Sequence, residues 1–170
     1  NAPRIVGAAE THQSGWLATN EQWLDITNER HWKQFFGNEN RISHVVAEHV
    51  FEHLTNEEAS RALNYMFERL TKNGRIRIAV PDGYNPNKEY IKHVEIAGIG
   101  DDAGDHKQLL NLDTLTRLIE QAGFAAQHVE GFTKEGELIQ VSWSSEDGFI
   151  RRSRQNNTRE KWQFPDAATS

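Results

Sequence analysis

The chain has 170 residues, 36% of them hydrophobic and 26% charged, which are the proportions of a single globular domain and argue against wholesale disorder. A formal net charge of −6, with dense positive charge only at Arg151-Arg152-Ser153-Arg154, argues against a nucleic-acid partner. The absence of cysteine excludes disulfides, thiolate zinc sites and cysteine nucleophiles, and no apolar run approaches the roughly 18 residues that suggest a membrane span. The opening residues, Asn1-Ala2-Pro3-Arg4, lack the basic stretch and long apolar core of a signal peptide. A cytoplasmic protein with no membrane partner is therefore expected.

Arg4-Ile5-Val6-Gly7 reads as a short strand closing on a glycine, followed by a polar loop to Ser14. Residues 15–19 and 23–27 are two further candidate strands. Asn28 caps a short helix running to Phe36, with Trp32, Phe35 and Phe36 on its apolar face and Gly37-Asn38 as its stop. Residues 42–47 are mostly apolar, as in a strand buried on both faces. Thr55-Asn56-Glu57-Glu58 matches a capping box, and Ala59, Leu63, Met66, Phe67 and Leu70 keep helical spacing as far as Lys72. Asn73-Gly74 is read as the end of that helix. Residues 75–80 form the clearest strand, stopped by Pro81-Asp82-Gly83. A capped helix between two apolar strands predicts a parallel pair with a right-handed crossover.

From residue 84 to 110 the periodicity fades and Gly98, Gly100 and Gly104 collect among polar residues, as expected of a functional or mobile covering segment. Residues 112–121 form a helix capped by Asn111 or Asp113 and closed by Ala122-Gly123. Residues 125–132 and 138–144 are joined by a turn too short for a crossover, so their pairing is antiparallel. Residues 1–154 form the one domain and residues 155–170 a polar tail.

Four constellations carry possible chemistry. Asp105-His106 lies in the covering segment, where an aspartate fixing the tautomer would leave the other imidazole nitrogen as a general base. Asp25 reads equally as a ligand contact or as part of the cap of the helix starting near Asn28. Glu52 precedes a helix, where the helix dipole favours a carboxylate. His49 and His53 stand four apart, the spacing of metal ligands on one helix face, but they straddle a strand end and a helix start. Packing or capping is the preferred reading for that pair, and no metal is expected.

Val46-Ala47-Glu48-His49-Val50-Phe51-Glu52-His53-Leu54 resembles the fourth-strand segment of the class I S-adenosylmethionine-dependent methyltransferases, where an "EHL" triplet opens the next helix. Leu70-Thr71-Lys72-Asn73-Gly74-Arg75-Ile76-Arg77-Ile78-Ala79-Val80-Pro81-Asp82 is similar to that family's passage into strand five, which ends in "PD". Gly104-Asp105-His106-Lys107 resembles a "DHK" loop of one predicted-methyltransferase branch, and Ala122-Gly123-Phe124 the "AGF" that follows the next helix. The resemblance runs from about residue 4 to residue 143.

It implies an α/β fold, a Rossmann-like open, mostly parallel sheet with a C-terminal antiparallel hairpin in a three-layer α/β/α arrangement. It implies S-adenosylmethionine as cofactor, with Gly7-Ala8-Ala9 as the backbone-approach loop, Asn20 or Glu21 at the ribose, Asp25-Ile26 at the adenine and Glu48-His49 as the floor. The implied activity is methyl transfer to a small-molecule or glycan-like acceptor, with His106 and Asp105 supplying the base and Asp82 orienting the acceptor. The cleft is expected to gather Gly7, Asp25, Glu48, Asp82 and His106.

The chain departs from the family where a "GxGxG" loop is reduced to Gly7-Ala8-Ala9. The few residues before the second strand predict no helix of more than about two turns there. That abbreviation supports an alternative, a methyltransferase-like fold acting without catalysis as a binding or accessory protein. A metal-dependent hydrolase using His49, His53 and His106 is a third reading.

Overall fold

The computed structural model describes residues 4–7, 16–38 and 40–142. Ala8, Ala9, the connection expected to lack a long helix, the Arg151–Arg154 run and the polar tail lie outside the described residues. Strand β1 (Arg4–Gly7) pairs in parallel with β2 (Leu17–Thr19). Helix α1 (Glu29–Phe36) starts where Asn28 Oδ1 accepts the Arg30 amide at 3.0 Å and stops at Gly37, whose φ of 65° suits a residue without Cβ. Strand β3 (Ile42–Glu48) leads through a 3-10 turn, Phe51–His53, into α2 (Asn56–Arg69) and then β4 (Leu70–Ala79). Helix α3 (Lys88–Val94), a 3-10 turn at Ala103–Asp105, and α4 (Leu112–Gln121) follow. Strands β5 (Glu130–Phe132) and β6 (Leu138–Gln140) close the described chain as an antiparallel pair.

Four parallel strands form one sheet in the order β2-β1-β3-β4, and β5-β6 form a separate two-stranded sheet. The expected strand–helix–strand unit is present: His44 pairs with Arg75 and Glu48 with Ala79, across a parallel ladder connected by α2. The capping box is also present, with Thr55 Oγ1 accepting the Glu58 amide and Glu58 Oε2 accepting the Thr55 amide at 2.8 Å. Leu63, Ala59 and Met66 of α2, spaced to share a helix face, bury against Ile42 and Val45 of β3 and Trp32 of α1.

Four local expectations change. Residues 23–27 are turns rather than a strand, because Asp25 Oδ1 accepts both the Thr27 amide at 2.9 Å and its hydroxyl at 2.7 Å. Such local side-chain bonds compete with a ladder. Phe35 points away from the core, 42% exposed, and meets Trp23 edge-on at 4.9 Å.

Asn73-Gly74 does not end α2. The helix closes at Leu70, whose amide donates to Met66, and residues 71–74 lie inside β4 opposite Ser43 alone, because the register passes from Ile42–Leu70 to His44–Arg75. A Cβ on Gly74 would meet Leu70 Cδ2 at 2.6 Å, so close approach within this bulge, rather than a helix stop, calls for glycine. The antiparallel strands are shorter than expected and stand off the main sheet. Among the described residues no helix is long and apolar enough to cross a membrane.

Candidate functional site

The chain passes from β1 outward to β2, then returns across β1 to β3 and on to β4. The strand order therefore reverses between β1 and β3, and open α/β sheets bind ligands at the carboxyl ends of strands where that reversal opens a crevice. The register puts Gly7 between Thr19 and Ala47 at that edge, with Glu48 beside Ala79. Asn20 and Glu21 come directly after β2 and are exposed, with Asn20 Oδ1 accepting the Gln22 amide at 3.1 Å. Asp25 lies in the turn before α1 with its carboxylate engaged by Thr27, and Ile26 packs on the core while its carbonyl accepts Trp32 Nε1 at 2.8 Å.

Glu48 is 3% exposed, and Arg77 Nη2 donates to its Oε1 at 2.7 Å, a diagonal pair on one face of β3 and β4. His49 has a φ of 53°, left-handed backbone that a residue bearing Cβ seldom adopts, while its amide still donates to Ala79 O at 2.9 Å. That kink turns the chain off β3 and into the Phe51–His53 turn. His49 Nδ1 lies 3.1 Å from Glu52 Oε1, and the Glu52 side chain is almost wholly buried.

The covering segment is stitched onto this turn. Lys107 N donates to Glu52 O at 2.8 Å, and Gln108 Nε2 donates to Phe51 O and Leu54 O. These bonds bring the His106 ring edge-on to His53, centroids 4.9 Å apart. His106 Nδ1 is 2.8 Å from Val94 O. A carbonyl only accepts, so Nδ1 carries a proton, and in the neutral ring the lone pair lies on Nε2. Asp105 does not supply that orienting bond; its Oδ1 lies 3.0 Å from His53 Nδ1, at an angle outside hydrogen-bond geometry. The reason is local: the 3-10 turn ends at Asp105 and the backbone becomes extended at His106, so the two side chains diverge.

Asp82 serves two backbone segments. Its Oδ1 accepts the Tyr84 amide at 2.8 Å and its Oδ2 accepts the Phe132 amide of β5 at 2.7 Å. Its own amide donates to Tyr90 Oη at 3.2 Å. Burial pushes the Tyr90 phenol up, the hydrogen bond from Asp82 pulls the other way, and the carboxylates of Asp82 and Glu52 add to the rise.

The structure thus groups Glu48, His49, Glu52, His53, Asp105 and His106 around one strand end, while Asp82 bonds to Tyr84, Tyr90 and β5. Asp25 belongs to the start of α1. Glu52 was read from the sequence only as a carboxylate favoured ahead of a helix, and Tyr90 escaped that reading. The doubled Glu-His step, Glu48-His49 and Glu52-His53, was the available signal for the first; α3 was hidden because it buries no residue. A groove of about 550 Å³ also runs between α2 and α4, lined by residues such as Ser60, Arg61 and Arg117, and shares no residue with this grouping.

No protein-family model matches the chain, and no curated protein does. A solved structure described as a SAM-dependent methyltransferase from Archaeoglobus fulgidus aligns with 85% of this chain and 72% of its own, at 13% identity and a TM-score of 0.53. At that identity the likeness is one of fold alone: a mixed α/β architecture consistent with a methyltransferase-like fold.

Proposed function

We propose that the chain catalyses S-adenosylmethionine-dependent methyl transfer to a small-molecule or glycan-like acceptor, on a three-layer Rossmann-like sheet. The observation that carries this reading is the reversal of strand order between β1 and β3, with two histidines gathered just beyond the carboxyl end of β3. Gly7, Thr19 and Ala47 are small, so the crevice edge is low enough for close ligand approach. Gly7-Ala8-Ala9 would lie along the methionine part, Asn20 or Glu21 at the ribose, Asp25-Ile26 at the adenine, and Glu48-His49 beneath.

When bound, the cofactor supplies a methyl group on a sulfonium sulfur, which leaves as a neutral thioether. The protein's work is to align the acceptor and take its proton. His106 is the proposed base, with Nε2 receiving the proton while Val94 O holds Nδ1–H. Asp105 adds negative charge beside the histidine pair, 3.0 Å from His53 Nδ1, and Asp82 shapes the acceptor side by holding β5.

A second reading, a methyltransferase-like fold without transfer, draws on the short connection between Gly7 and Leu17. Calorimetry of the full chain with S-adenosylmethionine and S-adenosylhomocysteine separates the two. Binding of either is expected, and His106→Ala should keep affinity within a few-fold while lowering methyl incorporation into an acceptor panel by about 10²–10⁴. Folded protein that binds neither compound would overturn the enzyme reading in favour of the accessory one.

A further inference from the structure

Glu52, His53 and His106 each bring one donor atom to a common point, all within 4.8 Å of one another. The sequence alone pairs His49 with His53, but the fold engages His49 differently: its Nδ1 holds Glu52 Oε1. The other carboxylate oxygen, Glu52 Oε2, is buried and has no hydrogen-bond partner among the described residues; His53 Nδ1 likewise makes no hydrogen bond, with Asp105 Oδ1 3.0 Å away. A buried, unpaired carboxylate oxygen costs about 1–3 kcal/mol or more, so such groups call for a partner. His106 is already oriented as a ligating histidine is, with Nδ1–H given to the Val94 carbonyl and Nε2 free.

We propose that Glu52, His53 and His106 bind a divalent first-row transition ion of the zinc type. Two imidazoles and a carboxylate suit Zn²⁺, Co²⁺ or Mn²⁺, and the absence of cysteine removes the thiolate alternatives. Bonds of about 2.0–2.2 Å place tetrahedral donors roughly 3.4 Å apart, so the widest pair closes by no more than about 1.4 Å. His49 is a positioning residue that holds Glu52 from behind. The ion would use the lone pair of His106 Nε2 that proton removal needs. A filled site therefore suppresses base action by His106, and the metal site stands whether or not the chain transfers methyl groups.

The test uses the full chain, freed of any histidine tag and stripped with a chelator. Zn²⁺ titration by calorimetry should show one site per chain, and Co²⁺ should give the visible absorption of a low-symmetry complex. Glu52→Gln and His106→Gln should each weaken binding on the order of 100-fold, His49→Gln by about 10–100-fold, and His128→Gln not at all. Circular dichroism and S-adenosylmethionine binding on the same samples report folding and the methyl-transfer reading separately. If Glu52→Gln fails to fold, His106→Gln, in an irregular segment, decides alone. Folded wild-type protein without stoichiometric binding, or binding that His106→Gln leaves unchanged, overturns the proposal.

Discussion

Glu58 shows how one side chain ties local and distant structure together. Its Oε2 accepts the Thr55 amide at 2.8 Å and Lys107 Nζ at 2.9 Å, linking the start of α2 to the segment carrying His106. The Thr55 amide first, and Lys107 second, hold the carboxyl at about 2 against an ordinary 4.5. A depressed carboxyl stabilises the fold fully above its unfolded value and loses that contribution as pH falls through the folded one. Wild-type stability should therefore decline between about pH 4.5 and pH 2, and Glu58→Gln should show a smaller decline in that window. Urea midpoints at stepped pH check it; equal slopes for the two proteins would remove Glu58 from the account. The same residue explains why only half of its role was legible: the capping box is a pattern within four positions, whereas Lys107 arrives through tertiary folding.

At the level of elements, the hairpin and the main sheet are held by a side chain rather than by a ladder. Among the described residues strands β5 and β6 pair only with each other, and Asp82 Oδ2 reaches the Phe132 amide from just beyond β4. Gly131 passes close to the same oxygen, at a φ of 156°; a Cβ there would lie 3.3 Å from Asp82 Oδ2. Asp82→Ala should raise hydrogen exchange at Phe132 and its neighbours in β5 while leaving the amides of β3 protected. Unchanged exchange at Phe132 would show that the hairpin holds its place without Asp82. The hairpin's existence was readable from its short turn. Its separation from the sheet was not, because a turn specifies a partner strand and says nothing about which outer edge the pair joins.

For the whole molecule, stability centres on β3 and the face of α2 laid against it. Ile42, Phe51, Ala59 and Leu63 are fully buried, and Trp32 joins them from α1. Leu63→Ala should cost about 2–5 kcal/mol, the range for a large core side chain cut to a methyl. Phe67→Ala, on the same helix but 48% exposed and meeting the Phe124 ring edge-on at 5.0 Å, should cost distinctly less. Chemical denaturation of both variants checks the order, and comparable losses would place part of the core between α2 and α4 instead.

The sequence by itself determined what depends on near neighbours. Asn28, Thr55 and the Asn111 or Asp113 pair announced three helix starts, and the apolar runs at 42–47 and 75–80 with a capped helix between them required a parallel pair. Only the tertiary structure decided which polar side chains meet. His106 and Glu52 come together because Lys107 and Gln108 bond to the Glu52 carbonyl, and His49 stays beside them as the partner of Glu52 Oε1. Likewise Asn73-Gly74 looked like a helix stop and became a bulge, since the deciding partner, Leu70, was already part of the strand. Local hydrogen bonds and periodicity act over a few residues and leave a trace in spacing. Contacts between segments distant in sequence depend on how the sheet stacks them, which no spacing records.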